Sequence, residues 1–291
     1  SKVMSRLDKI DVNFTNSPNE VVAKTMIENS SNSLFKSNDN MNYQIDYKVK
    51  MPITNSADLS NDYGSISLNE LKGKATINCD YGKIILGSLH HADNRINIDY
   101  TSDSEIEFMN GGSINADYSK LRVVKANRIE LNADYTESDF ENVGELNFSC
   151  DYGKVKTGNA NIIDGRGDYL TMRFGAIAKR LNIQADYGKI EVDKLMNGFE
   201  SVSIHTDYAK IKIGLDQDVS FNFTAKLSYT GFDFDGDNIT YLKKEVKSSS
   251  SYYEGFVNKE NSGSTIEITS EYGGVNLSLI HISEPTRLRR I

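Results

Sequence analysis

No tryptophan occurs in the 291 residues, and only three prolines and two cysteines do. Two cysteines cannot build a disulfide framework. No run of 18 or more apolar residues is present, so no helix of the sequence is suited to crossing a bilayer. A basic excess is lacking as well. Lys and Arg number 33 against 41 Asp and Glu, a net charge of −8, which argues against general nucleic-acid or anionic-membrane binding because both need a basic face. What the chain does have is 38% apolar residues, enough for a substantial core, and 16 tyrosines.

The tyrosines are periodic. The dipeptide Asp-Tyr recurs at Tyr47, Tyr63, Tyr81, Tyr100, Tyr118, Tyr135, Tyr152, Tyr169, Tyr187 and Tyr208, so ten of the sixteen tyrosines follow an aspartate. From Tyr63 onward the steps run from 17 to 21 residues, and imperfect copies at Tyr229 and Tyr272 extend the series. Counting back from each tyrosine, position −4 holds Leu59, Ile77, Ile96, Ile114, Leu131, Phe148, Ile183 and Ile204, and −2 holds small or apolar residues including Cys79, Ala116, Cys150 and Ala185. Counting forward, +3 and +5 are again apolar, as in Ile84 with Leu86 and Ile190 with Val192, and +8 supplies Leu71, Leu89, Phe108, Ala126, Val143, Ala160, Ile177 and Leu195. Alternation by two means strand on both sides of the tyrosine. A unit of about 17–21 residues cannot close its own core, but stacked units bury continuous columns. The pattern therefore predicts an all-β, single-stranded β-solenoid (β-helix). In the order of the sequence, its register from Tyr63 to Tyr229 gives a rod of roughly 40–45 Å at about 4.8 Å per coil.

Extending the alternation from −4 and −2 to the tyrosine places the ring on the core side and the aspartate outside, with the bend at glycines such as Gly82, Gly153 and Gly188. The aspartates are expected to accept backbone N–H groups at each corner. Their mutual repulsion is expected to be offset by outward lysines three residues on, Lys83, Lys120, Lys154, Lys189 and Lys210, in preference to a calcium ladder, because lysines compete with a hard cation for the carboxylates.

No catalytic, cofactor-binding or metal-ligating residue stands out. Asp233, Asp235 and Asp237 in DFDGDN resemble a calcium loop superficially, but Asn238 replaces its sixth-position glycine and Lys244 its twelfth-position glutamate. Arg166-Gly167-Asp168 spells a known recognition tripeptide, yet Gly167 and Asp168 fall in repeat columns and not on a protruding loop. His90, His91, His205 and His281 lack partners at zinc-ligand spacing. Every coil carries an aspartate, so none is singled out as one of a glycosidase pair. Cys79 and Cys150 share a column but lie four coils apart, about 19 Å, and are expected to be buried free thiols.

Three segments follow. Residues 1–45 break the period and read as a strand-rich N-terminal cap, truncated at its start, since neither an initiator methionine nor a signal sequence is present. Residues 46–279 form the solenoid, with an aperiodic insertion at about 235–263 that reads as a long flexible loop. Residues 280–291, IHISEPTRLRRI, read as a non-native or disordered tail.

The recurring DYGKI at Asp80–Ile84 and Asp186–Ile190, DYGSI at Asp62–Ile66 and YKVKMP at Tyr47–Pro52 resemble a family of bacterial adhesin-type domains of unassigned function. The resemblance spans roughly residues 5–279 and implies a secreted or cell-envelope β-solenoid. It brings no catalytic residues with it. The expectation is a non-enzymatic, adhesin-like scaffold that engages a surface glycan or protein along the solenoid edge, with no cofactor and no nucleic acid. A polysaccharide-active β-helix lyase or hydrolase is the alternative, because such folds host acidic clefts along one face.

Overall fold

The computed structural model describes residues 8, 10–27 and 44–280. The chain divides into two compact units, residues 1–50 and 51–291. In the first, β1 (Ile10–Asn16) and β2 (Val21–Ile27) form an antiparallel hairpin in which Ile10 faces Ile27 and Asn16 faces Val21. Phe14, Val21 and Met26 of this hairpin are exposed. Residues 44–50 have no regular secondary structure, and the hydroxyls of Thr25 and Tyr47 share a hydrogen bond. The Asp46-Tyr47 copy of the repeat is thus not a solenoid coil: among the described residues Tyr47 stacks on no other ring, and it lacks the backbone conformation of the later tyrosines.

The second unit is all β, a β-solenoid of parallel coils. Each coil has a strand before its tyrosine and one after it, and each strand pairs in parallel with its counterpart in the adjacent coil. Before the tyrosine, β3 (Ala57–Asp62), β5 (Ala75–Asp80) and β7 (Asn94–Asp99) stack in register; after it, β4 (Ser65–Leu71) stacks on β6 (Lys83–Leu89). In the middle coils the second corner is so shallow that the strand after one tyrosine runs on into the strand before the next. This produces β8 (Ser104–Asp117), β9 (Lys120–Asp134), β10 (Glu137–Asp151), β11 (Lys154–Arg166) and β12 (Thr171–Asp186). The register of β9 on β10 is a constant 17 residues, from Lys120↔Glu137 to Asp134↔Asp151. Between β11 and β12 it slips by one at Ala160/Ile162, so the longer coil places its extra residue at the second corner. The coil of Tyr100 instead places an extra residue just after the tyrosine, where Asp103 has φ 51°. That shift moves Met109 into the buried column and leaves Phe108 half-buried, which corrects the +8 position expected for Phe108.

The remaining inward columns follow the sequence pattern. Ile77, Ile96, Ile114 and Ile183 at −4, and Ile84, Leu121, Met172, Ile190 and Ile211 at +3, are all buried. Cys79 and Cys150 are buried and unpaired. Gly165 interrupts the −4 column for a packing reason: a Cβ there would lie 2.1 Å from Cζ of Phe148, whose ring fills the space.

Rung order at the C-terminal end departs from sequence order. After β13 (Lys189–Leu195), β14 (Ser201–Asp207) and β15 (Lys210–Leu215), the chain skips one rung and builds β16 (Phe221–Ser228) and β17 (Phe232–Asp235). Next comes a hairpin of β18 (Ile239–Val246) and β19 (Ser250–Val257), in which β19 lies antiparallel along β16. The stretch that breaks the sequence period is therefore paired strand covering an edge of the solenoid, where a flexible loop was expected. Last, β20 (Thr265–Glu271) and β21 (Val275–Leu279) enter the skipped rung. β20 pairs in parallel with both β14 and β16, and β21 with both β15 and β17. Ile280 continues this pairing, its N–H donating to Leu215 O at 2.8 Å; the remainder of the tail, 281–291, lies outside the described residues.

The corner glycine Gly188 does not carry the bend, but it is sterically fixed: a Cβ would sit 2.3 Å from Leu170 O of the neighbouring rung. Gly188→Val should accordingly be the most destabilising change at this corner, by about 3 kcal/mol. Tyr187→Ala should cost less, since its ring is half-exposed, and Lys189→Ala least, under about 1 kcal/mol, through loss of a solvated ion pair. Urea midpoints of the three variants check this order.

Candidate functional site: the tyrosine corner and the outer faces

The tyrosines face outward. This corrects the expectation that their rings stand on the core side. Each of the eleven from Tyr63 to Tyr272 has φ between 47° and 62°, the left-handed region, so the turn is made at the tyrosine itself. Aspartate and tyrosine therefore both point away from the core, and alternation resumes inward one residue later, at positions such as Thr101, Ser119, Thr136, Leu170 and Ala209. A left-handed L-residue costs roughly 1–2 kcal/mol. The repeated strain is offset by stacking: neighbouring rings lie 4.7–5.0 Å apart with interplanar angles of 0–10°. A stacked aromatic pair contributes about 0.5–1.5 kcal/mol beyond its area. The ring spacing is the strand spacing, so a ring at this corner meets its neighbours with no adjustment of the backbone.

Hydrogen bonds lock the same corner. These tyrosine N–H groups donate to a carbonyl of the adjacent rung, as in Tyr118 to Asp134 O and Tyr152 to Asp168 O, both at 3.0 Å, except that Tyr229 donates to Ser249 O beside the capping hairpin. In the opposite sense, an aspartate side chain accepts the N–H of the next aspartate: Asp117 Oδ1 from Asp134, Asp134 from Asp151, Asp151 from Asp168, Asp168 from Asp186 and Asp186 from Asp207, at 2.7–3.1 Å. The expected acceptor role is real but runs between coils and not within one turn. Asp99 lies outside this chain of acceptors. Its Oδ1 is buried and unpartnered, and burial followed by the charges of Asp80 and Asp117 raises its pKa. Beneath the corner, three successive rungs carry hydroxyls: Ser119 Oγ accepts from Thr101 N–H at 3.1 Å, and Thr136 Oγ1 accepts from Ser119 N–H at 3.0 Å.

Lysine does not neutralise the aspartate column. Among the described residues no ion pair joins a repeat aspartate to Lys83, Lys120, Lys154, Lys189 or Lys210. The charges beyond the tyrosine pair on their own face: Lys189 with Glu191 at 2.7 Å, Lys156 with Glu137 at 2.5 Å, and Arg122 with both Glu105 and Glu141. The aspartates and these lysines lie on opposite sides of the turn, and the left-handed tyrosine between them separates the two columns.

The face before the tyrosine is polar and largely amide. Asn97 donates to Asn78 and Asn115 to Asn97, both at 2.7 Å, making a side-chain ladder one rung per step. Further along, Asn115, Glu130, Asn132, Asp164, Arg166 and Asn182 line a shallow groove of about 460 Å³ crossing several rungs. Arg166 of the tripeptide lies here, while Gly167, with φ 147°, packs against Cys150 O, and Asp168 accepts its neighbour's N–H. The tripeptide is thus part of the wall. Asp233 and Asp235 belong to β17 and pair with β21. His90 Nε2 does have a carboxylate neighbour, Glu70 Oε1 at 3.2 Å, and His91 Nδ1 accepts from Asp93 N–H. His281 lies outside the described residues. Among the described residues no three His, Cys, Asp or Glu side chains converge as a metal site.

Sequence reasoning missed the tyrosine orientation, although a signal existed. Leu170 and Ala209 at +1 continue the phase of +3 and +5, which requires two successive outward residues at the corner. Comparison with protein-family models, with curated proteins and with solved structures gives no match.

Packing against neighbours, and then the charge of adjacent tyrosines and acids, raises the pKa of Tyr100, Tyr152, Tyr187 and Tyr272. An acid whose pKa is raised by folding favours its neutral form in the fold. The ladder's stability is then complete below the unfolded tyrosine value, about 10, and is lost as pH rises through the folded values. Circular dichroism recorded with phenolate absorbance should show strand structure disappearing together with ladder ionisation in alkali. Replacing Tyr100, Tyr152 and Tyr187 by Phe should move that loss to higher pH.

Burial pushes the Cys150 thiol up to about 12, and burial followed by Asp80 and Asp62 raises Cys79. Thiolate is the reactive form, so Ellman's reagent should react with neither thiol promptly in the folded chain and with both after denaturation.

Proposed function

We propose that this protein is a non-catalytic, adhesin-like scaffold of the cell envelope or extracellular space that engages a surface glycan or protein along its length. One observation carries the reading: the exposed chemistry is distributed by column, not gathered at one locus. The tyrosine corner offers a row of phenol edges at one strand spacing, the preceding face offers amide side chains, and the following face offers alternating charges. Such repetition suits many weak contacts along a rigid surface, which add through effective concentration. The stacked rings cover one another's faces, so the interior rings present edges and hydroxyls. A ligand meeting this corner is read through hydrogen bonds to phenol oxygens, while among the described residues flat stacking is left to the end rings, Tyr63 and Tyr229. The resemblance of the DYGKI and YKVKMP motifs to bacterial adhesin-type domains supports the envelope placement.

The test uses the intact gene with an epitope tag in its native cell. Protease applied to whole cells should remove the epitope, and the purified chain should be retained on isolated envelope material. The variant with Tyr118, Tyr135, Tyr152 and Tyr169 changed to Phe should keep its thermal midpoint within a few degrees and lose most of that retention. An epitope that resists protease until lysis, with no retention of the parent chain, would sink the proposal.

A further inference from the structure

The last two strands occupy a slot that earlier parts of the chain have already bounded on both sides. Tyr272 lies between Tyr208 and Tyr229, with centroids 4.7 and 4.9 Å away. Ser201 to Asp207 on one side and Asn222 to Ser228 on the other both pair with Thr265 to Glu271. Inside, Ile266, Ile268, Val275 and Leu277 are buried. At the slot's entrance the Ser264 hydroxyl donates to Phe199 O. With this segment withdrawn, two strand edges would face each other across one vacant rung, about 10 Å apart, each presenting unpaired backbone groups that seek a partner.

Nothing in this fit depends on the covalent link that delivers the segment. That link is residues 258–264, and three of its seven residues are left-handed: Asn258 at φ 59°, Asn261 at 55° and Gly263 at 88°. Asn and Gly adopt and leave this region at little cost, and seven residues drawn out span roughly 24 Å, enough for the segment to reach a neighbouring copy, the route by which terminal elements exchange.

We propose that the slot between β14–β15 and β16–β17 is a strand-acceptor site whose partner is the β20–β21 segment of a second copy of this chain, so that copies link by exchanging this rung. This inference stands apart from the envelope role and does not require it.

Single cysteines at paired, outward positions test it. Ser203 and Glu267 are register partners on β14 and β20 and are both exposed. One full chain carries Ser203→Cys and another Glu267→Cys; they are unfolded in urea, refolded together at high concentration and mildly oxidised. A disulfide between chains is expected, since register partners on adjacent strands have Cα atoms about 4.8 Å apart, inside the Cα range that a disulfide spans. A donor that also carries Ile268→Asp should give roughly tenfold less or lower, because the slot would have to bury a carboxylate. The double variant Ser203→Cys/Glu267→Cys, refolded alone and dilute, should close the same bond within one chain and shows that the geometry permits it. The proposal is overturned if that internal bond forms while the mixed chains give none, or if mixed dimers appear whose cross-linking is indifferent to Ile268→Asp.

Discussion

Parallel, in-register stacking at one strand spacing is the constraint on which the rest of the solenoid depends. Once each rung sits about 4.8 Å above the last, whatever a position carries meets its own kind. Apolar positions become continuous core, asparagines become an amide ladder, and tyrosines become a stack whose ring distance needs no adjustment. The aspartates obey the same rule. Five of them use a carboxylate oxygen to accept the next rung's N–H, which converts a row of like charges into a hydrogen-bonded spine.

That constraint also explains why a bulky residue occupies a left-handed position eleven times. Glycine would make the turn without strain but would place nothing outside the corner. Tyrosine accepts the strain and gains a ring contact on each side, a bargain that works only in the stack. The outward row of phenol edges is thus a consequence of how the corner is stabilised.

Stacking leaves open edges where it stops. At the C-terminal end the β18–β19 hairpin turns antiparallel against β16, and the last rung to be made is interior, held from both sides. The rung that completes the stack therefore comes from the segment furthest along the described chain, and the strands on either side of it stand two spacings, about 10 Å, apart.

The sequence by itself determined the period, the strands on either side of each tyrosine and the inward columns, because one rung type repeated many times averages away local ambiguity. The burial of Cys79 and Cys150 follows directly from those columns. Only the tertiary structure decided which way the tyrosine points. The alternation before it and the alternation after it differ in phase by one residue, and a left-handed turn absorbs that difference at a single position, invisible to either pattern alone. It also decided what the lysines pair with, since that depends on which side of the turn a column lies. Rung order was beyond the sequence for a simpler reason: Tyr229 and Tyr272 carry the same local signal, and position in the stack is settled by which edges find each other in space.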